Sequence, residues 1–494
     1  MSAPLMQLGQ VHAWLQARHA GHKLPLHGAP DTAITRVHTD SRSVQPGDLF
    51  VALQGESFDA NSFLAQAQAA GAVAVLCRTG LDTSQLPAGL PRIEVPDTTH
   101  ALGHLAQAWR QQFDVPLIAV TGSNGKTTVT QMIGAILQAH TPEGGALATQ
   151  GNLNNAIGVP LTLLRLRASH RIAVVELGMN HPGEIAYLAD LAQPTVALVN
   201  NAQREHLEFM HTVDAVAAEN GAVLQALGPQ GCAVFPADDT YSALWQSQNH
   251  GARHLGFASA GPLTGDGVYG ISAQWHESYW QVQAGWQAQG QSGVLNLRLA
   301  IAGAHNVVNA LAAAACALAA GVAPAHIEAG LQSFSPVKGR SRAFPLQWGT
   351  RRISAVDDSY NANPDSVRAA IDVLHTLPAP RLLVLGDMGE VGQDGPQLHA
   401  EAGAYAHSQG IEQLLALGSL SQSTVQAFCQ AGGNAQHCAD MQALDQALQS
   451  ALPLCASVLV KGSRFMRMER AIERMQTQAL ELAHNTLGES VHAA

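Results

Sequence analysis

Among the 494 residues, the run Thr121-Gly-Ser-Asn-Gly-Lys-Thr-Thr128 has the types and spacing that point most directly to chemistry. Gly122 and Gly125 free the main chain to bring its N–H groups onto phosphate oxygens, and Ser123, Asn124 and Thr128 extend that cradle. Lys126 offsets the charge of β- and γ-phosphates, and the Thr127 hydroxyl is placed to reach a metal ion. The loop is shorter than the general GxxxxGK[ST] pattern, since only Gly122 precedes the Gly-Lys pair. A glycine-containing surface turn would need no particular neighbours. This run has them: Val115 to Val120 reads as a buried parallel strand and Val129 to Ala139 as a helix, whose N-terminus adds positive potential.

Those flanks belong to a larger alternation. Residues 1–97 combine strand-like runs such as Asp48–Leu53 and Gly71–Leu76 with helical stretches, a small α/β unit. From the helix-like Ala101–Gln112 onward, strands at Ile172–Glu176 and Thr195–Asn200 alternate with Ala-rich helices, the rhythm of a doubly wound sheet. A Gln/Gly/Trp-rich stretch from Gly261 to Ala300 reads as an antiparallel β insertion. Runs at Ile353–Asp357, Arg381–Gly386 and Ser457–Lys461 predict a second sheet, and the tail after His484 reads as frayed. The expected fold is therefore α/β in three domains: 1–97, a central P-loop-type ATPase domain over 98–335, and a Rossmann-like α/β domain over 336–494.

Bulk composition sets limits on this reading. A net charge of -11 argues against general nucleic-acid binding, although clustered Lys and Arg can still steer an anionic substrate. No apolar run reads as a membrane span or a secretory leader, and six cysteines without CxxC spacing fit a reducing compartment, so a cytoplasmic protein is expected. Gly265-Asp-Gly-Val-Tyr-Gly270 matches GxGxxG but follows no strand and opens no helix, and reads as a turn.

Further motifs follow the phosphate loop in order: Gly151-Asn-Leu-Asn-Asn-Ala-Ile-Gly-Val-Pro160, Glu176-Leu-Gly-Met-Asn-His-Pro-Gly-Glu184 and Ala304-His-Asn-Val-Val-Asn309. With the shortened loop they resemble the Mur ligases, a family that also includes the folylpolyglutamate synthetases. The resemblance covers nearly the whole chain. It implies ATP and Mg²⁺ as cofactors, with Lys126, Glu176 and His206 catalytic and Thr127, Glu176 and His206 toward the metals. It also implies that Asn306, Asn309, Arg340 and Asp358 contact the nucleotide, Asp358 through the ribose hydroxyls.

Within the family, Asp357-Asp-Ser-Tyr-Asn-Ala-Asn-Pro364, Gly386-Asp-Met-Gly-Glu390 and Val460-Lys-Gly-Ser-Arg-Phe-Met466 resemble the member that joins D-alanyl-D-alanine to UDP-N-acetylmuramoyl-tripeptide. Those two molecules are the implied partners of a monomeric enzyme. Asn152, Asn154, Asn155, Tyr360, Asn361 and Asn363 become candidate substrate contacts. Thr39 to Phe50 resembles the segment holding the uridine nucleotide, with Ser41 and Arg42 as the contacts. Another amide ligase of the family, a tripeptide or folylpolyglutamate synthetase, is the nearest alternative, and a non-catalytic nucleotide-binding regulator the more distant one.

One position departs from the pattern. Fourteen residues after His206, where many members carry a lysine carbamate that helps hold a second metal, this chain has Asn220. Three substitutes come into view: the Asn220 amide oxygen, the Glu219 carboxylate, or substrate and water.

Overall fold

The computed structural model describes residues 4–491 apart from 20, 22, 56–57, 83–85 and 277, and side chains only as far as 482. Three main sheets follow one another along the chain. The first has five strands in the order Leu26–His27, Arg92–Val95, Ala74–Arg78, Asp48–Val51, Arg36–His38, parallel except at its first edge.

The central sheet has nine strands, and the short strand Ala146–Ala148 forms one edge. Inward from it lie Ile172–Glu176, Leu117–Thr121, Val196–Val199, Cys232–Pro236 and Arg253–Ala258, all parallel. The first four of these are buried along their whole length, which explains why they read as nearly unbroken apolar runs. The stretch expected to form a β insertion is a meander of Gly267–His276, Tyr279–Ala288 and Gln291–Leu299. It is not a separate layer: Gly267–His276 pairs with Arg253–Ala258 and continues the same sheet. The GxGxxG run, expected to be a turn, is one only at Gly265 and Asp266; Gly267 to Gly270 open the first strand of the meander.

The third sheet orders Arg342–Trp348, Arg351–Asp358, Ser457–Lys461, Arg381–Gly386, Gln413–Leu417 and Asn434–Cys438, with only its first pair antiparallel. The last helix runs over Glu469–Val491, so the backbone from His484 to Val491 is helical where the composition predicted fraying.

The helix after the phosphate loop, Lys126–His140, shows why the sequence folds this way locally. Gly125 starts it at φ 80, a conformation that costs glycine little. Val129, Met132, Ile133, Ile136 and Leu137 then fall on one stripe and are wholly buried. At about 1.5–3 kcal/mol for each such side chain, that stripe fixes the helix against the sheet.

The strand Leu117–Thr121 lies beside Val196–Val199, and the connections that leave these two neighbours run toward opposite edges of the sheet. Crevices at the carboxyl ends of strands form at such reversals. Thr121, Glu176 and Val199 end three adjacent strands there. Across the crevice, Asp358 and Lys461 end two paired strands of the third sheet.

Candidate active site

Between the carboxyl ends of these sheets lies a cleft of about 420 Å³, lined among others by Lys126, Thr127, Glu176, His206, Arg340 and Tyr360. Ser123, Asn124, Gly125, Asn152, Asn154, Asn155 and Asn361 also face it. An adjoining cavity of about 470 Å³ is lined by Thr128, Asn306, Asn309, Asp358 and Lys461. Residues dispersed over more than three hundred positions are thus gathered around one space.

The floor is the phosphate loop, and neutral side chains hold it. Asn220 Oδ1 accepts from the Gly122 N–H at 2.8 Å while its Nδ2 donates to the Val216 carbonyl at 3.1 Å. Asn200 Nδ2 donates to the Asn124 carbonyl and to Asn309 Oδ1, and Asn309 in turn donates to Asn306 Oδ1. A Cβ on Gly122 would come within 2.9 Å of the Asn200 side chain, and one on Gly125 within 2.5 Å of Asn309 Oδ1. Both glycines are therefore required by close approach as well as by their positive φ.

Glu176 stands at the end of its strand, 1% exposed. Its Oε1 accepts from Asn154 Nδ2 at 2.8 Å and from the Thr127 hydroxyl at 3.2 Å, and Arg340 Nη2 also reaches that hydroxyl at 3.2 Å. Glu176 Oε2 is buried and has no hydrogen-bond partner. A buried carboxylate oxygen left open beside a hydroxyl, at the mouth of a phosphate loop, fits Mg²⁺, which takes one or two such oxygens and completes its shell with phosphate and water. Among the described residues no three His, Cys, Asp or Glu side chains form a ready-made metal cage.

Lys126 Nζ donates to Glu205 Oε1 at 2.8 Å and to the carbonyls of Gly122 and Ser123. Burial would push the Glu205 carboxyl up, but Lys126 and His206 beside it hold it below its ordinary value. His206 lines the cleft at φ 51, with Nε2 3.4 Å from Glu205 and Nδ1 paired with Glu390. Burial would lower the imidazole, yet those carboxylates raise it to about 9.

The facing wall is joined to the floor by polar contacts. Asn363 caps the helix Pro364–His375 and exchanges hydrogen bonds with Asn124. Arg204 pairs with Asp365 at 2.8 Å and with Glu401 at 3.3 Å. Arg340 stacks over the Tyr360 ring, 4.0 Å from its centroid. Asp358, read from sequence as a ribose contact, has Oδ1 on Ser341 and Oδ2 on Lys461 Nζ at 2.6 Å. Burial raises its carboxyl, and Lys461 outweighs that, leaving it below its ordinary value.

Ser41 and Arg42 are not among the residues lining either cavity. Arg42 is 84% exposed and its guanidinium is held by Asp40. Two of the three substitutes for a carbamate have other partners. Asn220 is committed to Gly122, and Glu219 accepts from the Gly183 and Ile185 N–H groups, capping the helix Glu184–Ala192. Sequence reasoning did not single out Glu205, Glu390, Asn200 or Lys461, although Glu390 and Lys461 lie inside motifs quoted above, Asn200 ends a predicted strand and Glu205 precedes His206.

The comparisons with known proteins agree with this architecture. The chain matches the family descriptions "Mur ligase family, catalytic domain" over residues 33–110, "Mur ligase middle domain" over 120–317 and "Mur ligase, glutamate ligase domain" over 346–464. It belongs to the Mur ligase family.

Among its relatives is the UDP-N-acetylmuramoyl-tripeptide–D-alanyl-D-alanine ligase of Escherichia coli (strain K12), 39% identical over 453 residues, covering 91% of this chain and 95% of that protein. The enzyme of the same name from Bacillus subtilis (strain 168) is 32% identical, covering 90% and 93%. The crystal structure of MurF from Acinetobacter baumannii superposes with a TM-score of 0.84 at 33% identity, covering 95% of this chain and 98% of that one.

Proposed function

We infer that the chain is an ATP-dependent, ADP-forming ligase that joins D-alanyl-D-alanine to UDP-N-acetylmuramoyl-tripeptide in peptidoglycan precursor synthesis. The names of its near full-length relatives support the substrates. The observation that carries the chemistry is the phosphate loop set against a buried, open carboxylate oxygen on Glu176.

A carboxylate is a poor electrophile, and transfer of the γ-phosphoryl group to it makes an acyl phosphate that an amine can attack. Lys126 and the Gly122–Thr128 main chain bind the phosphates, while Arg340 adds positive charge on the opposite side. Mg²⁺, held by Thr127 and Glu176 with His206 nearby, would offset the charge of the transferring group. Asn152, Asn154 and Asn155 border the cleft where the nucleotide peptide would lie, and Tyr360, Asn361 and Asn363 border the amine side. The facing wall excludes water from the acyl phosphate.

For the molecule as a whole the reading is three domains over 1–97, 98–335 and 336–494. They bind the uridine nucleotide, ATP, and the amine in turn, with Ser41 and Arg42 on the uridine nucleotide and Asn306, Asn309 and Asp358 beside the nucleotide base and ribose. The working form is a cytoplasmic monomer. Among the described residues no helix is long and apolar enough to cross a membrane. ADP release measured with both substrates and with each omitted in turn tests the reading: it should require both. Equal release with glutamate and a folate in their place would overturn it.

A further inference from the structure

His399 is wholly buried, lines neither cavity of the cleft, and has both ring nitrogens engaged. The Met388 main-chain nitrogen lies 2.9 Å from its Nε2, and the Gly395 carbonyl oxygen 2.7 Å from its Nδ1. A main-chain N–H can only donate and a carbonyl can only accept. Nε2 is therefore the acceptor, Nδ1 carries the proton, and the ring is neutral. Burial holds the imidazole below its ordinary value, outweighing the Gly395 carbonyl and Asp387, in keeping with that neutral form. The bond to Gly395, one turn earlier in the helix Gly395–Ser408, fixes the ring so that Nε2 points at Met388.

Met388 stands two residues before Glu390, in the loop that leaves the strand Arg381–Gly386. Glu390 has φ 56, and its carboxylate meets Nδ1 of His206, which has φ 51. Two non-glycine residues thus hold left-handed backbone where a loop of the third sheet meets a segment of the central one. Such conformations persist only where the surroundings impose them. The base of the loop is held at Asp387, whose side chain accepts from the Leu420 and Ser421 N–H groups and whose carbonyl accepts from Ser463. Nearer Glu390, the Gly389 nitrogen is 3.4 Å from the Ala362 carbonyl, a long contact, so the 2.9 Å bond to His399 is the firm main-chain hold. The buried Met388 side chain sets the depth of the loop. The hydrogen bond sets the turn of its peptide plane, and with it the direction that Glu390 takes.

We propose that His399 is a positioning residue for the ligase reaction, holding the 387–390 loop through the Met388 N–H so that Glu390 meets His206 on the cleft wall. Gly389 and Glu390 border the same pocket as Asn361 and Asn363, on the amine side. The proposal rests on the reading of this cleft as an amide-ligase site. The loss on removing His399 falls on use of the amine and not on ATP binding, because Asn220 and Asn200 hold the phosphate loop independently.

His399→Leu removes the acceptor at similar bulk and leaves a buried N–H without a partner. In ADP release by the full chain with both substrates, it should lower kcat about tenfold or more and raise KM for the dipeptide, with KM for ATP near wild type. His399→Gln, whose side-chain carbonyl can accept from Met388, should recover most of that loss. Because His399 acts through Glu390, adding His399→Leu to Glu390→Gln should cost no more than about twofold further. His399→Asn, which ends short of Met388, takes the place of His399→Leu if that variant lacks a native circular dichroism spectrum. Losses that multiply in the double variant, or wild-type kinetics in the single one, would overturn the proposal. ADP release by the wild-type chain without the dipeptide would instead overturn the ligase reading, and this proposal with it.

Discussion

The floor of the cleft is held by neutral amides, whereas the wall facing it is held largely by ions. Asn220, Asn200, Asn309 and Asn306 lie beneath the phosphate loop, each buried or nearly so, with geometry that does not depend on a ligand. Across the cleft, Arg204 with Asp365 and Glu401, and His206 with Glu390, are partly exposed pairs between segments of different sheets. Such pairs contribute about 0–1 kcal/mol each when solvated, so the wall can part where the floor cannot. A ligase that must admit three substrates and then exclude water needs that asymmetry.

The largest break in this comparison should come from the loop's own charge. Lys126→Ala is expected to lower kcat by about a hundred- to a thousandfold, in the range for removing a group that stabilises transition-state charge. Its circular dichroism spectrum should stay native. Near wild-type turnover would remove the lysine from the mechanism.

Next comes the floor. Asn220→Ala strips the partner from a buried Gly122 N–H and should cost about 1–3 kcal/mol in chemical denaturation, with a rise in KM for ATP. Glu219→Gln, which weakens a helix cap, should cost no more than about 1 kcal/mol and leave the Mg²⁺ requirement unchanged. A raised Mg²⁺ requirement in Glu219→Gln would return that carboxylate to the metal site.

A smaller effect is expected at the wall. Arg204→Ala and Asp365→Asn should each raise KM for ATP a few-fold, and the double variant should show a coupling of about 1 kcal/mol. Additive effects would mean that the pair does not hold the wall. At the outer domain, Arg42→Ala should raise KM for the nucleotide peptide while leaving KM for ATP and for dipeptide near wild type. Equal change in all three would detach Arg42 from that substrate.

How much of this was legible in the sequence follows from what each feature demands of residue type. The phosphate loop could be read because Gly122 and Gly125 occupy positions where a Cβ has no room. The strands Ile172–Glu176 and Arg381–Gly386 were found to the residue, since burial on both faces writes an unbroken apolar run. The pairing of His206 with Glu390 was not, because the two meet only when two separate sheets face one another. Asn220 was read by asking what could replace a charge, whereas its place in the fold answers a different need, the capping of a main-chain N–H. Polarity shows that a side chain will find a partner, but not which one.

The central claim is that the cleft activates a carboxylate by phosphorylation, and oxygen-18 tests it most directly. UDP-N-acetylmuramoyl-tripeptide labelled in the reacting carboxylate should pass label into the inorganic phosphate released as D-alanyl-D-alanine is joined, detected by mass spectrometry. An acyl phosphate requires that transfer, because its carboxyl oxygen leaves with the phosphoryl group. Amide product formed with unlabelled phosphate would contradict the account.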